Sequence, residues 1–411
     1  MRNQLIAICE NDCTDCKACI SVCPIQCIRE KRNDDGRVVL AIDEKKCIGC
    51  NKCKKICPQL SLPEMNYPIK AYAAWSNDEN EKRISASGGV ASAMYRYAIS
   101  NGWPFTGAYY DAKEYRVKLD IGSNLSDIDK FRNSKYTHSD AGNIYKRCQK
   151  LIENGKNVIF VGLPCQIAAM RKIEHHRENI GQIFYVDLVC HGTPPEEYLK
   201  NHIEFLEKTM GEKTKQCLFR NPEFDTSNFV FSLISNEGKT FYSKGVVSDD
   251  YYQLGFHRAV TYRSNCYSCK FARPERCGDI TLGDYKGLGI LDKYEGNRKD
   301  VSCVLVNTKQ GEKLIEMLAL DGYIIAKPRP VQEPIKSDHQ LNAPSVRHKA
   351  RGKFILRYTE NGNFEEAASE AIKSLVKWEL FMEKLHVKKW MLFAKKISPM
   401  NVIRAVRRRI K

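Results

Sequence analysis

Cys13-Thr14-Asp15-Cys16-Lys17-Ala18-Cys19-Ile20-Ser21-Val22-Cys23-Pro24 and Cys47-Ile48-Gly49-Cys50-Asn51-Lys52-Cys53-Lys54-Lys55-Ile56-Cys57-Pro58 are two copies of one spacing, C-x2-C-x2-C-x3-C-P. Three thiolates on one tight loop can take three corners of a cubane iron–sulfur cluster, but the fourth corner is beyond their reach. In proteins with two such runs, the fourth cysteine of each run ligates the other cluster. That crossover pairs Cys13, Cys16, Cys19 and Cys57 on one [4Fe–4S] cluster and Cys47, Cys50, Cys53 and Cys23 on a second. Zinc is the competing assignment, yet tetrahedral zinc sites use separated C-x2-C pairs rather than triple runs closed by Cys-Pro. The spacing implies one-electron chemistry.

Outward from this stretch, a chain of 411 residues exceeds one ordinary core and implies two or three domains. Its 43% hydrophobic and 28% charged content is that of a globular protein. Eighteen cysteines would suggest disulfides in a small secreted chain. Here the start lacks the layout of a signal peptide, and cluster thiolates need reducing surroundings, so a cytoplasmic location is expected. No apolar run approaches bilayer-spanning length. The net charge of +17 invites a nucleic-acid reading, but no helix-turn-helix, zinc-finger or RNA-recognition signature accompanies it. No nucleic-acid partner is expected; an acidic redox carrier such as a ferredoxin or flavodoxin suits the charge equally.

The expected fold class is α+β. Residues 1–66 form a two-cluster ferredoxin fold, with a hairpin strand at 37–43 after the turn-like Asn33–Gly36. A linker at 63–68 leads into a larger mixed α/β domain over 67–345. Strands are expected at 71–75, 107–110, 158–161 and 183–189, and helices at 90–100, 166–173 and 195–207. An antiparallel meander at 229–234 and 240–242 turns at Asn236-Glu237-Gly238. Cys165 and Cys190 fall at the carboxyl ends of two strands, where such folds place ligands. Cys266-Tyr267-Ser268-Cys269 adds a C-x2-C pair. Four cysteines from three segments suit a third cubane; small buried hydrophobes are the equally open alternative for Cys165 and Cys190.

These residues carry a family resemblance. Ser87-Gly88-Gly89-Val90, Ser134-Lys135-Tyr136-Thr137, Pro164-Cys165-Gln166, Cys190-His191-Gly192 and Cys266-Tyr267-Ser268-Cys269-Lys270, in that order, resemble the beta subunits of coenzyme F420-reducing hydrogenases and dehydrogenases. The resemblance spans about 70 to 290 and implies FAD and a [4Fe–4S] cluster in this domain. It implies Cys165, Cys190, Cys266 and Cys269 as ligands of that third cluster, with Cys277 left out. It further implies electron exchange through the flavin with a hydride-exchanging partner, coenzyme F420 or another acceptor, and a hydrogenase or dehydrogenase subunit as protein partner. Such an enzyme is a flavin- and iron–sulfur-dependent oxidoreductase. The alternative is a non-flavin electron-transfer subunit serving a redox complex or a polysaccharide-synthesis pathway.

Flavin contacts are expected from Ser87, Gly88, Gly89, Lys135, Tyr136, Thr137 and Gln166. Gly88 and Gly89 at a helix start offer N–H groups to a pyrophosphate, although an ordinary helix entry with Ser87 as N-cap gives the same pattern. Lys135 would add charge and Tyr136 would pack on a ring. His191 is expected to fix the turn after Cys190 rather than to shuttle protons. Asp279 and Asp284 are expected at a turn and a strand edge, and no residue is assigned acid–base catalysis. Cys9, Cys27, Cys148, Cys217 and Cys303 lack cluster spacing and default to core. Residues 346–411 form a basic helical C-terminal extension. From 374 onward it carries Trp378, Phe381, Leu385, Trp390 and Phe393 with about a dozen Lys and Arg. Such a face suits either an anionic membrane surface, giving peripheral association at its inner face, or docking on protein.

Overall fold

A computed structural model describes residues 10–173 and 181–384. In the N-terminal unit, helix α1 (Ala18–Val22) precedes strands β1 (Ile28–Arg32) and β2 (Val38–Ile42), and helix α2 (Lys52–Ile56) closes it. The two cysteine runs fold alike. Each helix starts from a left-handed residue, Lys17 at φ 60° and Asn51 at φ 57°. Two residues earlier, Asp15 and Gly49 repeat the positive φ. These reversals wind the chain into a loop rather than a helix, so cysteines three apart share one interior. Each helix then stops at a cysteine in extended conformation, Cys23 and Cys57. The following Pro24 and Pro58 disfavour the helical region for the residue before them. Cys-Pro thereby turns the fourth ligand out of its own run.

The larger unit follows in chain order: β3 (Lys70–Ser76), α3 (Glu79–Ile84), α4 (Val90–Ser100), β4 (Phe105–Asp111), β5 (Arg116–Gly122), α5 (Leu125–Phe131), β6 (Ser139–Asp140), α6 (Ile144–Glu153), β7 (Val158–Gly162), α7 (Pro164–Ile173), β8 (Ile183–Leu188) and α8 (Glu196–Met210). Then come β9 (Thr214–Leu218), β10 (Phe231–Ser235), β11 (Thr240–Lys244), α9 (Tyr251–His257), β12 (Ile280–Asp284), β13 (Ser302–Val306), α10 (Lys309–Leu320), β14 (Ile324–Arg329), α11 (Gln332–Ser337), α12 (Arg351–Asn361) and α13 (Phe364–Lys384).

Among the described residues, nine strands make one mixed sheet in the order β14-β3-β13-β12-β8-β7-β4-β5-β6. Its centre, β12-β8-β7-β4, is parallel, and β13, β3 and β14 continue it antiparallel. The apolar run Val158–Val161 is buried throughout because the sheet is covered on both faces. Val158 and Phe160 join the core shared with α6, α7 and the N-terminal unit, whereas Ile159 and Val161 join the core under α4 and α10. The alternation is that of a strand between two layers.

The N-terminal unit is seated on the larger one through buried polar contacts. Tyr145 donates to the Cys16 carbonyl at 2.7 Å and Tyr198 to the Asp35 carbonyl at 2.7 Å. Lys17, almost fully buried, pairs with Asp140 and Glu30. The segment read as a linker is also tied down, since Asn66 and Arg276 exchange backbone hydrogen bonds at 2.8 Å.

A third core joins α8 and α9 with β9–β11, α12 and α13, so Phe354, Phe364 and Ile372 pack with Tyr198, Phe231 and Tyr252. The first part of the C-terminal segment thus shares the larger unit's core rather than standing apart from it. Trp378 and Phe381 remain exposed on α13; Leu385, Trp390, Phe393 and the basic end lie outside the described residues, as does Cys9. No helix among the described residues is long and apolar enough to cross a membrane.

Candidate redox site

Every described cysteine is a free thiol. Cys13, Cys16, Cys19 and Cys57 line one small cavity, so the fold brings together the crossed set that the spacing implies. Burial pushes the Cys16 thiol up to about 12 and Cys13 to about 11, and neighbouring thiols add to both shifts. Thiolates held this way need a cation to ionise, and cluster iron supplies one. Among the described residues no three His, Cys, Asp or Glu are drawn together tightly enough for a single metal ion. A cubane spreads its thiolates over four irons and takes a wider set.

Cys47 and Cys50 are exposed, with Cys53 and Cys23 half-buried beside them. Cys27, which the spacing leaves to the core, also belongs to this group: its sulfur stands 3.5 Å from that of Cys23. Its place is fixed by the local turn after Cys23 that feeds β1, outside the cluster spacing itself.

Cys165, Cys190, Cys266 and Cys269 line a second cavity together. Cys165 sits in the first turn of α7, which begins at Pro164, slightly before the expected start at 166. Cys190 follows β8, and the C-x2-C pair lies in a short turn after α9. Burial raises Cys165 well above the ordinary thiol range and takes Cys190 to about 12. Cys277 lies outside this lining and gives its thiol proton to the Pro164 carbonyl at 3.2 Å. Thr14 lines both this cavity and that of the Cys13 set. Between them Arg263, 3% exposed, donates to the Thr14 carbonyl and meets His138 Nδ1, each at 2.9 Å.

A third and larger cavity, about 360 Å³, opens at the carboxyl ends of β7, β8 and β12. It shares Leu163 and Cys190–Thr193 with the four-cysteine cavity. Its size and placement are those of cofactor sites in open α/β sheets. Ser85–Ser87 and Gly89–Ser92 line one side, and no side chain caps the first turn of α4. Gly89, at φ 78°, is the N-cap; Ser87 is not, because its hydroxyl donates to the Val301 carbonyl at 3.0 Å. Gly88 lies behind the lining with its N–H on Ser302 Oγ at 3.0 Å. An added Cβ there would stand 2.5 Å from the Ala74 carbonyl oxygen.

The remaining expected contacts divide. Tyr136 stacks on Phe256 with centroids 4.4 Å apart, forming an aromatic wall with Phe229 and His257. Thr137 is buried in the lining. Lys135 lines the cavity, but its amino nitrogen sits among the carbonyls of Lys130, Phe131, Arg132 and Asn133, and burial brings it down to about 7, so it caps a turn. Gln166 is a staple: Oε1 accepts from Leu163 N at 2.9 Å while Nε2 donates to the Ser139 carbonyl at 2.9 Å.

One buried cation of the cavity carries no signal in the sequence. Arg220, 6% exposed, stacks over Phe229 at 4.1 Å and donates to Tyr136 Oη at 2.6 Å. It pairs with Asp284 at 2.5 Å, which places that residue in the cavity rather than at a mere strand edge. Asp279 instead staples the sheet, accepting from Tyr185 N and Arg171 at 2.8 Å. His191 lines both cavities; burial, with Lys286 adding, brings its imidazole down to about 4 and keeps it neutral. Its carbonyl accepts from Ser345 at 2.6 Å, which fixes the turn after Cys190.

Cysteines spaced for cubanes in one unit, abutting a strand-end cavity in the next, define an iron–sulfur protein of the oxidoreductase class. Residues 12–62 match the 4Fe-4S dicluster domain, and residues 155–331 match the C-terminal region of the coenzyme F420 hydrogenase/dehydrogenase beta subunit. The chain belongs to the coenzyme F420 hydrogenase/dehydrogenase beta-subunit family, with a 4Fe–4S dicluster domain at its N-terminus. No curated protein matches it. Among solved structures it is similar to a chain of the F420-reducing [NiFe] hydrogenase complex from Methanosarcina barkeri, at 18% identity and a TM-score of 0.42, over 76% of this chain and 94% of that one.

Proposed function

We propose that the chain is an iron–sulfur flavoprotein oxidoreductase. In this reading the two N-terminal clusters relay electrons to or from a third cluster held by Cys165, Cys190, Cys266 and Cys269, and a flavin occupies the large cavity. The observation that carries it is continuity. Thr14 joins the first cysteine cavity to the second, and Cys190–Thr193 join the second to the large one. A flavin exchanges one or two electrons and so couples single-electron carriers to a hydride partner, coenzyme F420 or another acceptor.

The chain's own residues hold and shield. The uncapped first turn of α4 offers N–H groups and a helix dipole to an anionic group. Arg220 adds a buried cation, and Tyr136, Phe229 and Phe256 offer aromatic surface. Burial and the nearby Arg220 bring His257 down to about 3, which leaves it an uncharged part of that wall. The family match supports a redox component of a larger complex; the cluster thiolates themselves call for reducing surroundings, so we place the chain in the cytoplasm.

Anaerobic analysis of iron, sulfide and flavin per chain tests the reading. About twelve irons and one flavin are expected for three cubanes and the flavin. About eight irons would remove the third cluster, and a flavin-free chain after reconstitution would remove the enzyme.

A further inference from the structure

The two cysteine runs perform the same backbone task, yet their surfaces differ. In α1 the residues between and after the ligands are Ala18, Ile20, Ser21 and Val22; at the matching positions of α2 stand Lys52, Lys54, Lys55 and Ile56. Ala18 is buried, and Ile20 and Val22 pack against the core shared with α6 and α7. Lys52, Lys54 and Lys55 are exposed, as are Lys45 and Lys46 on the near side of the loop. No Asp or Glu interrupts the chain from Lys45 to Lys55. Cluster ligation therefore does not demand these lysines.

Exposure of the ligands follows the same contrast. Cys16, Cys19 and Cys57 are 7–8% exposed, whereas Cys47 and Cys50 are open to solvent. Between those two stands Ile48, 66% exposed, at the tip of the loop. An apolar tip, open cluster ligands and a lysine surround coincide on one small face. Tunnelling rates fall steeply with distance, so an outside carrier exchanges electrons fastest where a cluster reaches the surface.

We infer that the face around Cys47–Asn51, ringed by Lys45, Lys46, Lys52, Lys54 and Lys55, docks an acidic one-electron carrier protein. Electrons enter or leave the chain there. The inference rests on the proposed function and adds the place and the charge of the partner. Opposite potentials steer encounter and set register, and redox contacts of this kind are small and transient. The step is a single electron passing between the carrier's centre and the cluster of the Cys47 set, one oxidised as the other is reduced.

Stopped-flow mixing of the cluster-loaded chain with a reduced acidic flavodoxin tests it. The second-order rate should fall at least tenfold between low and high ionic strength. The K52E/K54E/K55E variant should lose at least tenfold at low ionic strength, with iron content and total chemically reducible cluster unchanged. A K52Q/K54Q/K55Q variant should fall between the two. Rates indifferent to salt and to charge reversal, or faster reduction by a basic carrier, would overturn the docking surface. A chain without reducible clusters would instead overturn the proposed function, so the two failures are distinguishable.

Discussion

Cys165, Cys190 and Cys269 occupy places that penalise thiolates, since burial raises each and neighbouring thiols add to the cost. Such a group is tolerable when a cation neutralises it. Cys266→Ser is therefore expected to cost about four of about twelve irons and to leave the N-terminal clusters intact; iron analysis with electron paramagnetic resonance reads both. Arg263 is the fixed charge between the two cysteine cavities. In the proposed function a positive group there would stabilise the more negative reduced state of clusters held in these cavities. Arg263→Met should shift their midpoint potentials downward in a spectroscopic redox titration, with Arg263→Lys falling between. Unmoved potentials would reduce Arg263 to a packing role.

Among elements, α4 shows what sequence can convey and where it stops. Its bounds, 90–100, are those expected from apolar spacing, because one helix face packing on one sheet writes a local period. Which residue caps it was not legible, since Ser87 is drawn away by Val301, more than two hundred positions later. Lys135 and Gln166 both line the large cavity, but backbone carbonyls consume their polar donors, which residue type alone does not signal. Gly88→Ala would press a Cβ onto the Ala74 carbonyl. A loss of roughly 1–3 kcal/mol in denaturant unfolding is expected, with weaker flavin retention as α4 shifts. Helices α8, α9 and α13 meet at His202, whose imidazole contacts Asp250 at 3.2 Å and Glu365 at 2.5 Å. Burial opposes its charge, but the two carboxylates outweigh that and hold it up to about 10. The raised value means this contribution is complete below the ordinary histidine range near 6.5 and disappears as pH climbs through about 10. Asp250→Asn should cost on the order of 3–5 kcal/mol at neutral pH, and the difference from wild type should shrink in alkaline melts.

Over the whole molecule, the cysteine runs announce two clusters because each ligand set is built from short loops and one crossover. The path beyond them is written nowhere locally. Thr14, Arg263, Cys190 and Arg220 come from four separate segments, and only the packing of the N-terminal unit on the sheet aligns them. In the proposed function this alignment is the electron conduit. Its most direct measurement is rapid-freeze mixing of the flavin-loaded chain with a one-electron donor, for wild type and Cys165→Ser. Wild type should show cluster reduction followed by flavin reduction on the same timescale. The variant should accumulate reduced N-terminal clusters while its flavin stays oxidised. Flavin reduction at the wild-type rate in Cys165→Ser would rule this conduit out.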